Sequence, residues 1–405
     1  MCSTSRRRRA GFSRPREPLV AESGEPALGS LRVNLVHDWL TGLRGGEKCL
    51  DALARALPAA SLHTLIHLPG RTTPAIDALR PRTPWLGKLP GISSYYRYLL
   101  PLLPSVADRA WRFTETDLVV SFSHCVAKGA RAPSGVPHVC YCFTPMRYAW
   151  QMRDQYFRKR GLLGSVRDRL LDRVRAWDLA SADRVTHFIA ISGFIRERIR
   201  ECYGRDSVVI YPPVDTDYYT PADGSAAPVA REDFYLMVSA LAPYKRADMA
   251  IAACGKLGRR LVVIGSGQDA SRLARLAGPE TTMLGWQPDA VIRDHLRRCR
   301  ALLFPGEEDF GIVPLEAQAC GAPVVALGRG GATETVVSPE GGGVPTGILY
   351  REPTEQGLVD AILKFESMDG RFDPLAAREQ ALRFNAGRFE RELLSYLKSV
   401  SGVAG

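Results

Sequence analysis

The chain has 405 residues, of which 45% are hydrophobic, 24% charged and 8% aromatic. That size and balance exclude a fibrous or wholly disordered chain and favour two globular cores over one. The formal net charge of +11 favours polyanionic ligands. With no zinc finger, RRM signature or aromatic-basic stripe in the sequence, nucleic acid gives way to phosphorylated small molecules and anionic lipid surfaces.

Residues 1–30 carry Arg6-Arg7-Arg8-Arg9 and then Pro, Gly, Ser and Glu, and read as a disordered basic tail without a signal-peptide apolar core. Order is predicted from Arg32-Val33-Asn34-Leu35-Val36-His37-Asp38, a short apolar strand. Gly45-Gly46-Glu47 follows, and residues 48–57 place apolar side chains at helical spacing. Strand, glycine loop and helix open a doubly wound α/β domain. Further buried strands are predicted at 118–121, 138–142 and 187–191. At Val208-Val209-Ile210-Tyr211-Pro212-Pro213 the paired prolines end both helix and central strand and predict a stiff link. The alternation then restarts, with strands at 234–239, 260–264, 301–304 and 323–326 and helices at 247–257 and 314–320. Gly265-Ser266-Gly267 closes the second of these strands. The predicted organisation is a tail (1–30), a first Rossmann-like domain (31–212), a second (213–385) and a C-terminal helix (386–405) returning toward the first. Such paired domains bind ligands at the carboxyl ends of their strands, in the cleft between them. No run approaches the roughly 18–20 apolar residues that span a bilayer. The nine cysteines are scattered without a CxxC pair, as in reduced, buried thiols of a cytosolic protein.

The chemistry concentrates in residues 304–317. A strand ends at Phe304, an acidic loop with Gly306, Glu308 and Gly311 follows, and a helix is predicted near Pro314. Backbone N–H groups and the helix dipole at such a turn suit a diphosphate. Glu308 and Glu316 flank it as acceptors for sugar or ribose hydroxyls. The plainer alternative is an acidic turn that only caps a helix.

This stretch resembles the EX7E motif of family 4 retaining glycosyltransferases of the GT-B fold, specifically those related to bacterial O-antigen and exopolysaccharide mannosyltransferases. The resemblance runs from Leu31 onward. It includes Val36-His37-Asp38-Trp39-Leu40, Tyr141-Cys142-Phe143-Thr144-Pro145-Met146-Arg147-Tyr148, Ala190-Ile191-Ser192, Pro243-Tyr244-Lys245-Arg246 and Gly330-Gly331-Ala332-Thr333-Glu334. It implies that Glu308 contacts the donor hexose and Glu316 the ribose. Phe310, Gly311, Ile312 and Val313 would line the sugar and diphosphate, Lys245 would neutralise the diphosphate, and Gly45 and Gly46 would let the opposite loop approach. It further implies a nucleotide-sugar donor, a glycan or polyprenyl-diphosphate-linked acceptor, no essential metal or other cofactor, and a site of action on the cytoplasmic face of the inner membrane.

Two positions depart from the family pattern: Phe143 stands at a usual histidine and Ala240 at a usual arginine. His124 and Arg246 are the expected partial substitutes, and His124 joins Glu308 and Lys245 as a catalytic candidate. The departures keep open a homologue that binds sugar nucleotides, or a partner enzyme, without turnover; a sugar-nucleotide epimerase is disfavoured by the EX7E arrangement. His63 and His67 would share a helix face like zinc ligands, but no third ligand accompanies them and a structural reading is preferred. Asp38 with Glu47 suggests a metal pair only weakly. Cys140 and Cys142 read as core packing. The segment Tyr95–Pro104, with Arg109, Trp111 and Arg112, suits either a monotopic contact with anionic lipid or a proline-broken core helix pair.

Overall fold

A computed structural model describes residues 28–150, 162–221, 231–368 and 370–402. The expected tail therefore lies outside the described residues up to residue 27. Its last three residues, Leu28–Ser30, form a 3-10 turn with Leu28 buried in the first core.

Among the described residues, two six-stranded sheets carry the chain, and every strand pairing is parallel. The first contains β1 (Val33–His37), β2 (Ser61–Thr64), β3 (Leu118–Ser123), β4 (His138–Cys142), β5 (His187–Ala190) and β6 (Ser207–Val209), in the order β2-β1-β3-β4-β5-β6. The second contains β7 (Tyr235–Val238), β8 (Leu261–Ile264), β9 (Thr281–Gly285), β10 (Ala301–Phe304), β11 (Val324–Leu327) and β12 (Gly347–Tyr350), in the order β12-β11-β10-β7-β8-β9. Strands β1, β3 and β4 are buried at every position. Helices cover both faces of a parallel sheet, so its inner strands need apolar side chains on both sides rather than alternation.

Five helices matter for the site. They are α1 (Gly45–Ala56), α2 (Gly193–Tyr203), α3 (Ala247–Leu257), α4 (Ile312–Ala319) and α5 (Ala386–Val400). Helix α2 starts where Ser192 Oγ accepts the Ile195 N–H (3.1 Å) and stops at Gly204, whose φ of 62° ends the helical path. Helix α5 is amphipathic, and Phe389, Leu393 and Leu397 pack into the core of the first sheet. The chain thus crosses between the sheets twice. The crossings touch, with the Val214 N–H bonded to the Phe384 carbonyl (2.9 Å) beside Pro212-Pro213.

His63 lies on strand β2, not on a helix, and donates to Asn34 Oδ1 (2.9 Å), while His67 donates to Asp77 (2.8 Å). The two rings are held by separate partners, which removes the shared helix face. Cys140 and Cys142 are buried in the first core, as are the other described cysteines in their own surroundings.

Burial lowers the pKa values of His37, His63 and His138 to about 4 each. Unfolding returns them to about 6.5. Between those values the unfolded chain holds more protons than the folded one, so stability from these three groups is full above pH 6.5 and falls on acidification toward pH 4. Burial also raises Glu47 to about 7. Glu47, and Glu316 whose pKa burial also raises, work the other way, Glu47 favouring the folded state below about pH 4.5 and losing that contribution as pH rises through 7. His124 and His187 are lowered by burial as well, so five histidines oppose two carboxyls and the melting temperature should drop from pH 6.5 to pH 4.5. A flat profile over that window in differential scanning calorimetry would contradict the buried neutral histidines.

Candidate active site

Each sheet has one place where its strand order reverses, between β1 and β3 in the first and between β7 and β10 in the second. A ligand crevice opens beyond the strand ends at such a point. The two crevices face each other and form one cleft of about 410 Å³. His37 ends β1, His124 follows β3 and Phe143 follows β4 on the first wall; Ser239 and Ala240 follow β7, Phe304 ends β10 and Glu308 follows it on the second.

The second wall is shaped by glycine contacts. A Cβ on Gly331 would come within 2.3 Å of Phe310 Cα, and one on Gly330 within 2.2 Å of the Glu308 carbonyl oxygen. Gly330-Gly331 therefore lets the 308–310 backbone lie flat against it. Gly265 and Gly267 do the same for the preceding loop, where a Cβ would meet the Ser239 and Leu241 carbonyl oxygens at 1.8 and 2.2 Å. Their role is loop packing. Gly331→Ala should cost about 1–3 kcal/mol by overpacking against immobile backbone; urea denaturation measures this, and a loss under about 0.5 kcal/mol would mean the contact is slack.

Gly311, at φ 90°, precedes α4, which begins at Ile312, two residues before the expected start at Pro314. The first-turn N–H groups of α4 have no intrahelical acceptor and carry the positive end of its dipole. Phe310, Gly311, Ile312 and Val313 line the cleft there. Opposite them are Gly45 and Gly46. A Cβ on Gly45 would meet Ile312 Cδ1 at 2.6 Å, and one on Gly46 would meet Phe143 Cζ at 3.1 Å. Lys245 Nζ is ion-paired with Glu308 within the same cleft.

His124 also lines the cleft, its ring held by Asp38 (Nδ1 to Oδ2, 3.1 Å) and edge-on to Trp39 at 4.5 Å. Burial lowers its pKa, with the Asp38 carboxylate opposing. Asp38 accepts the N–H groups of His124, Cys125, Val126 and Ala127 at 2.6–2.9 Å. Its job is to shape this turn. Among the described residues no His, Cys, Asp and Glu group has a metal-binding arrangement.

Two expected donor-binding side chains are held by neighbouring charges. Arg246 takes a left-handed backbone (φ 57°), and its guanidinium turns to Asp248 at 3.1 Å, lining a neighbouring recess. Glu316 faces Lys48 of α1 at 3.5 Å, one turn behind the cleft lining. Burial raises its pKa and Lys48 opposes this.

Several side chains not singled out in the sequence join the two walls. Asp309 is clamped by Arg147 and by Arg198 (3.0 Å), and its carbonyl oxygen accepts the Ser192 hydroxyl (2.6 Å). Glu334 accepts the N–H groups of Gly193 and Phe194 at the start of α2 (2.8 and 3.0 Å) and the Tyr211 hydroxyl (3.0 Å). Tyr211 stacks on Phe310, with centroids 5.7 Å apart. The Ser192 and Glu334 motifs thus hold the domains together. Their positions in the recurring motifs were a signal, but their partners, more than 100 residues away, were not. Among the described residues, four buried polar atoms of the cleft lining have no hydrogen-bond partner: His37 Nε2, Arg147 Nε, Ser239 Oγ and Glu308 Oε1, the last meeting Lys245 only as an ion pair.

Paired parallel sheets, a glycine-walled cleft and a lysine beside a helix N-terminus define a two-domain α/β protein built for an anionic ligand between its halves. Residues 43–218 match the family described as Glycosyltransferase Family 4, and residues 224–382 match Glycosyl transferases group 1. The chain belongs to these family 4 glycosyltransferases and has the GT-B fold. It is 32% identical to a D-inositol 3-phosphate glycosyltransferase of Kineococcus radiotolerans over 221 residues, 45% of this chain and 48% of the relative. It is also 32% identical to a GDP-mannose-dependent alpha-(1-6)-phosphatidylinositol monomannoside mannosyltransferase of Mycolicibacterium smegmatis over 193 residues, 41% of this chain and 50% of that one. The chain spans about half the length of the curated relatives it matches. Among solved structures, Anabaena Alr3699/HepE in complex with UDP-glucose superposes with a TM-score of 0.65 at 19% identity, over 91% of this chain and 99% of that one. Sucrose-phosphate synthase from Thermosynechococcus elongatus gives 0.67 at 16% identity, over 92% and 100%.

Proposed function

We propose that this protein is a retaining hexosyltransferase that moves a hexose from a nucleotide-sugar to a glycan or lipid-linked glycan during cell-surface polysaccharide synthesis. The observation that carries this is the convergence of Lys245, Glu308 and the Phe310–Val313 turn on one cleft, opposite Gly45-Gly46. Mannose from GDP-mannose is the first candidate donor, supported by the likeness to the GDP-mannose-dependent mannosyltransferase of M. smegmatis. The second domain (213–385) holds the donor and the first (31–212) the acceptor, on the cytoplasmic face of the inner membrane. No helix among the described residues is long and apolar enough to cross a membrane.

In this reading the acceptor oxygen attacks the anomeric carbon from the face the nucleotide leaves. The anomeric carbon–phosphate oxygen bond breaks, the departing diphosphate takes the acceptor proton, and no protein nucleophile or metal is needed. Lys245 and the α4 N-terminus stabilise the growing diphosphate charge. Glu308 exchanges its lysine contact for donor hydroxyls. His124 orients the sugar or the acceptor from the opposite wall, and His124→Ala should lower kcat about 10- to 100-fold; unchanged turnover would remove that role. Engagement of the ribose by Glu316 requires its release from Lys48.

Thermal-shift profiling across GDP-, UDP- and ADP-sugars, followed by transfer of radiolabelled hexose to a membrane lipid extract, tests the reading. Absence of stabilisation by every sugar nucleotide would overturn it. A second reading, sugar-nucleotide binding without turnover, is favoured by one observation: Phe143 and Ala240, which lack the family's usual polar groups, both line the cleft. Donor stabilisation without transfer would select it.

A further inference from the structure

Between Asp77 and Asp108 the chain has no acidic residue and four cationic ones, Arg80, Arg82, Lys88 and Arg97. This stretch folds as short helical turns on the outside of the first domain, at Trp85–Lys88, Ile92–Tyr95, Tyr96–Leu99 and Leu103–Ala110. Its inward side chains, Leu86, Ile92, Tyr96, Leu100, Leu103 and Val106, belong to a single core cluster. That cluster fixes which way their neighbours face. Trp85 is 61% exposed, Tyr98 85% and Leu102 53%, and Arg82, Lys88, Arg97 and Arg109 are exposed among them. Beside Trp85, a recess of about 350 Å³ is flanked by Arg82 and Arg109. Trp111, by contrast, is buried in the core and takes no part in this surface.

Large aromatic and aliphatic side chains left in water, beside cations that have no carboxylate partner among the described residues, are costly for a surface that stays solvated. They match an interface with an acyl boundary and negative headgroups, where tryptophan and tyrosine sit at headgroup depth and each cation adds attraction. The surface also connects to the cleft. Tyr96 packs on Trp39 (centroids 5.0 Å apart), and Trp39 packs on His124 of the cleft wall (4.5 Å).

We propose that the Trp85–Arg109 face is a docking surface for an anionic lipid bilayer, with Trp85, Tyr98 and Leu102 entering the headgroup boundary and the Arg82–Arg109 recess receiving a lipid phosphate. The proposal rests on the reading that the acceptor is lipid-linked. Docking here would bring the first-domain rim of the cleft to the membrane, where such an acceptor is anchored.

The test is co-sedimentation of the full chain with phosphatidylcholine vesicles with and without phosphatidylglycerol. The wild type should pellet only with phosphatidylglycerol present and be released by high salt. A charge variant, Arg82→Gln/Lys88→Gln/Arg97→Gln, should bind about a hundredfold more weakly, at roughly fivefold per cation. An apolar variant, Trp85→Ser/Tyr98→Ser/Leu102→Ser, should also lose binding while keeping the wild-type melting temperature and sugar-nucleotide thermal shift. Failure of the wild type to pellet with phosphatidylglycerol vesicles overturns the proposal and points to an acidic protein partner. Wild-type binding by both folded variants overturns it too, since the Arg6–Arg9 tail or another basic face would then carry the interaction. Neither result touches the donor-site reading, which the thermal shift reports separately.

Discussion

Replacement of Lys245 by alanine is expected to lower hexose transfer by about 10²- to 10³-fold, the loss of roughly 3–4 kcal/mol of transition-state stabilisation at a developing anion. The size follows from the lack of a substitute beside the α4 turn, the remaining cleft cation, Arg44, standing exposed on the first-domain wall. Ala240 supplies no charge, Arg246 is turned to Asp248, and the Arg147 guanidinium is committed to Asp309. Charge on the diphosphate grows as the glycosidic bond breaks, so the loss should fall mainly on kcat, with a smaller rise in donor KM. Lys245→Arg should recover part of the rate, because it restores the charge but not the compact ammonium. Removing Lys245 also leaves Glu308 without its ion-pair partner. The Lys245→Ala/Glu308→Gln double variant separates that structural effect from the chemical one. Initial rates with saturating donor measure the outcome, and a Lys245→Ala variant within about threefold of wild type would remove the lysine from the mechanism.

How the fold was legible depends on where each strand lies. The eight inner strands, β1, β3, β4 and β5 in the first sheet and β7, β8, β10 and β11 in the second, all stand out as apolar runs. The four that the sequence did not reveal are β2, β6, β9 and β12, which are the edges of the two sheets. An inner strand of a parallel sheet is covered on both faces and must be apolar throughout. An edge strand is not. β6 and β9 have no fully buried position and β2 alternates, whereas β12 is buried at three of four positions and is obscured instead by its opening glycine. The site divides in a similar way. Glu308, the 310–313 turn and Lys245 are legible because a loop and its following helix carry their chemistry locally. The side-chain directions of Arg246 and Glu316 were not, because each is set by one partner, Asp248 across a left-handed residue and Lys48 across the cleft. The Asp309 clamp is invisible for the same reason: an acidic loop residue has no mark in the sequence that assigns it two arginines from the other domain.

The largest stability effect should come from a residue outside the cleft lining. Lys128 is buried in the turn after β3, and its ammonium faces Asp178 Oδ1 (2.7 Å), the Asp178 carbonyl oxygen (2.7 Å) and the Ser181 hydroxyl (2.5 Å). Two of its donors thus hydrogen-bond the carbonyl and hydroxyl oxygens, while Asp178 Oδ1 meets the ammonium as an ion pair without a hydrogen bond. The other carboxylate oxygen of Asp178 accepts from Trp150 Nε1 and from the Tyr203 hydroxyl, both at 2.8 Å. A pair closed off this completely repays the desolvation of its charges only while both members are present. Lys128→Met leaves a buried carboxylate unpaired and should cost about 3–5 kcal/mol. Lys128→Met/Asp178→Asn removes both charges and should recover most of that loss. The urea midpoint at constant slope measures both, and a single-variant loss below about 1 kcal/mol would mean that water reaches Asp178. The same turn binds Asp38 through the N–H groups of residues 124–127 and so sets the position of His124. Loosening Lys128 should therefore also lower kcat at temperatures where the protein remains folded. The double variant, which keeps the turn packed without the charges, should restore rate and stability together.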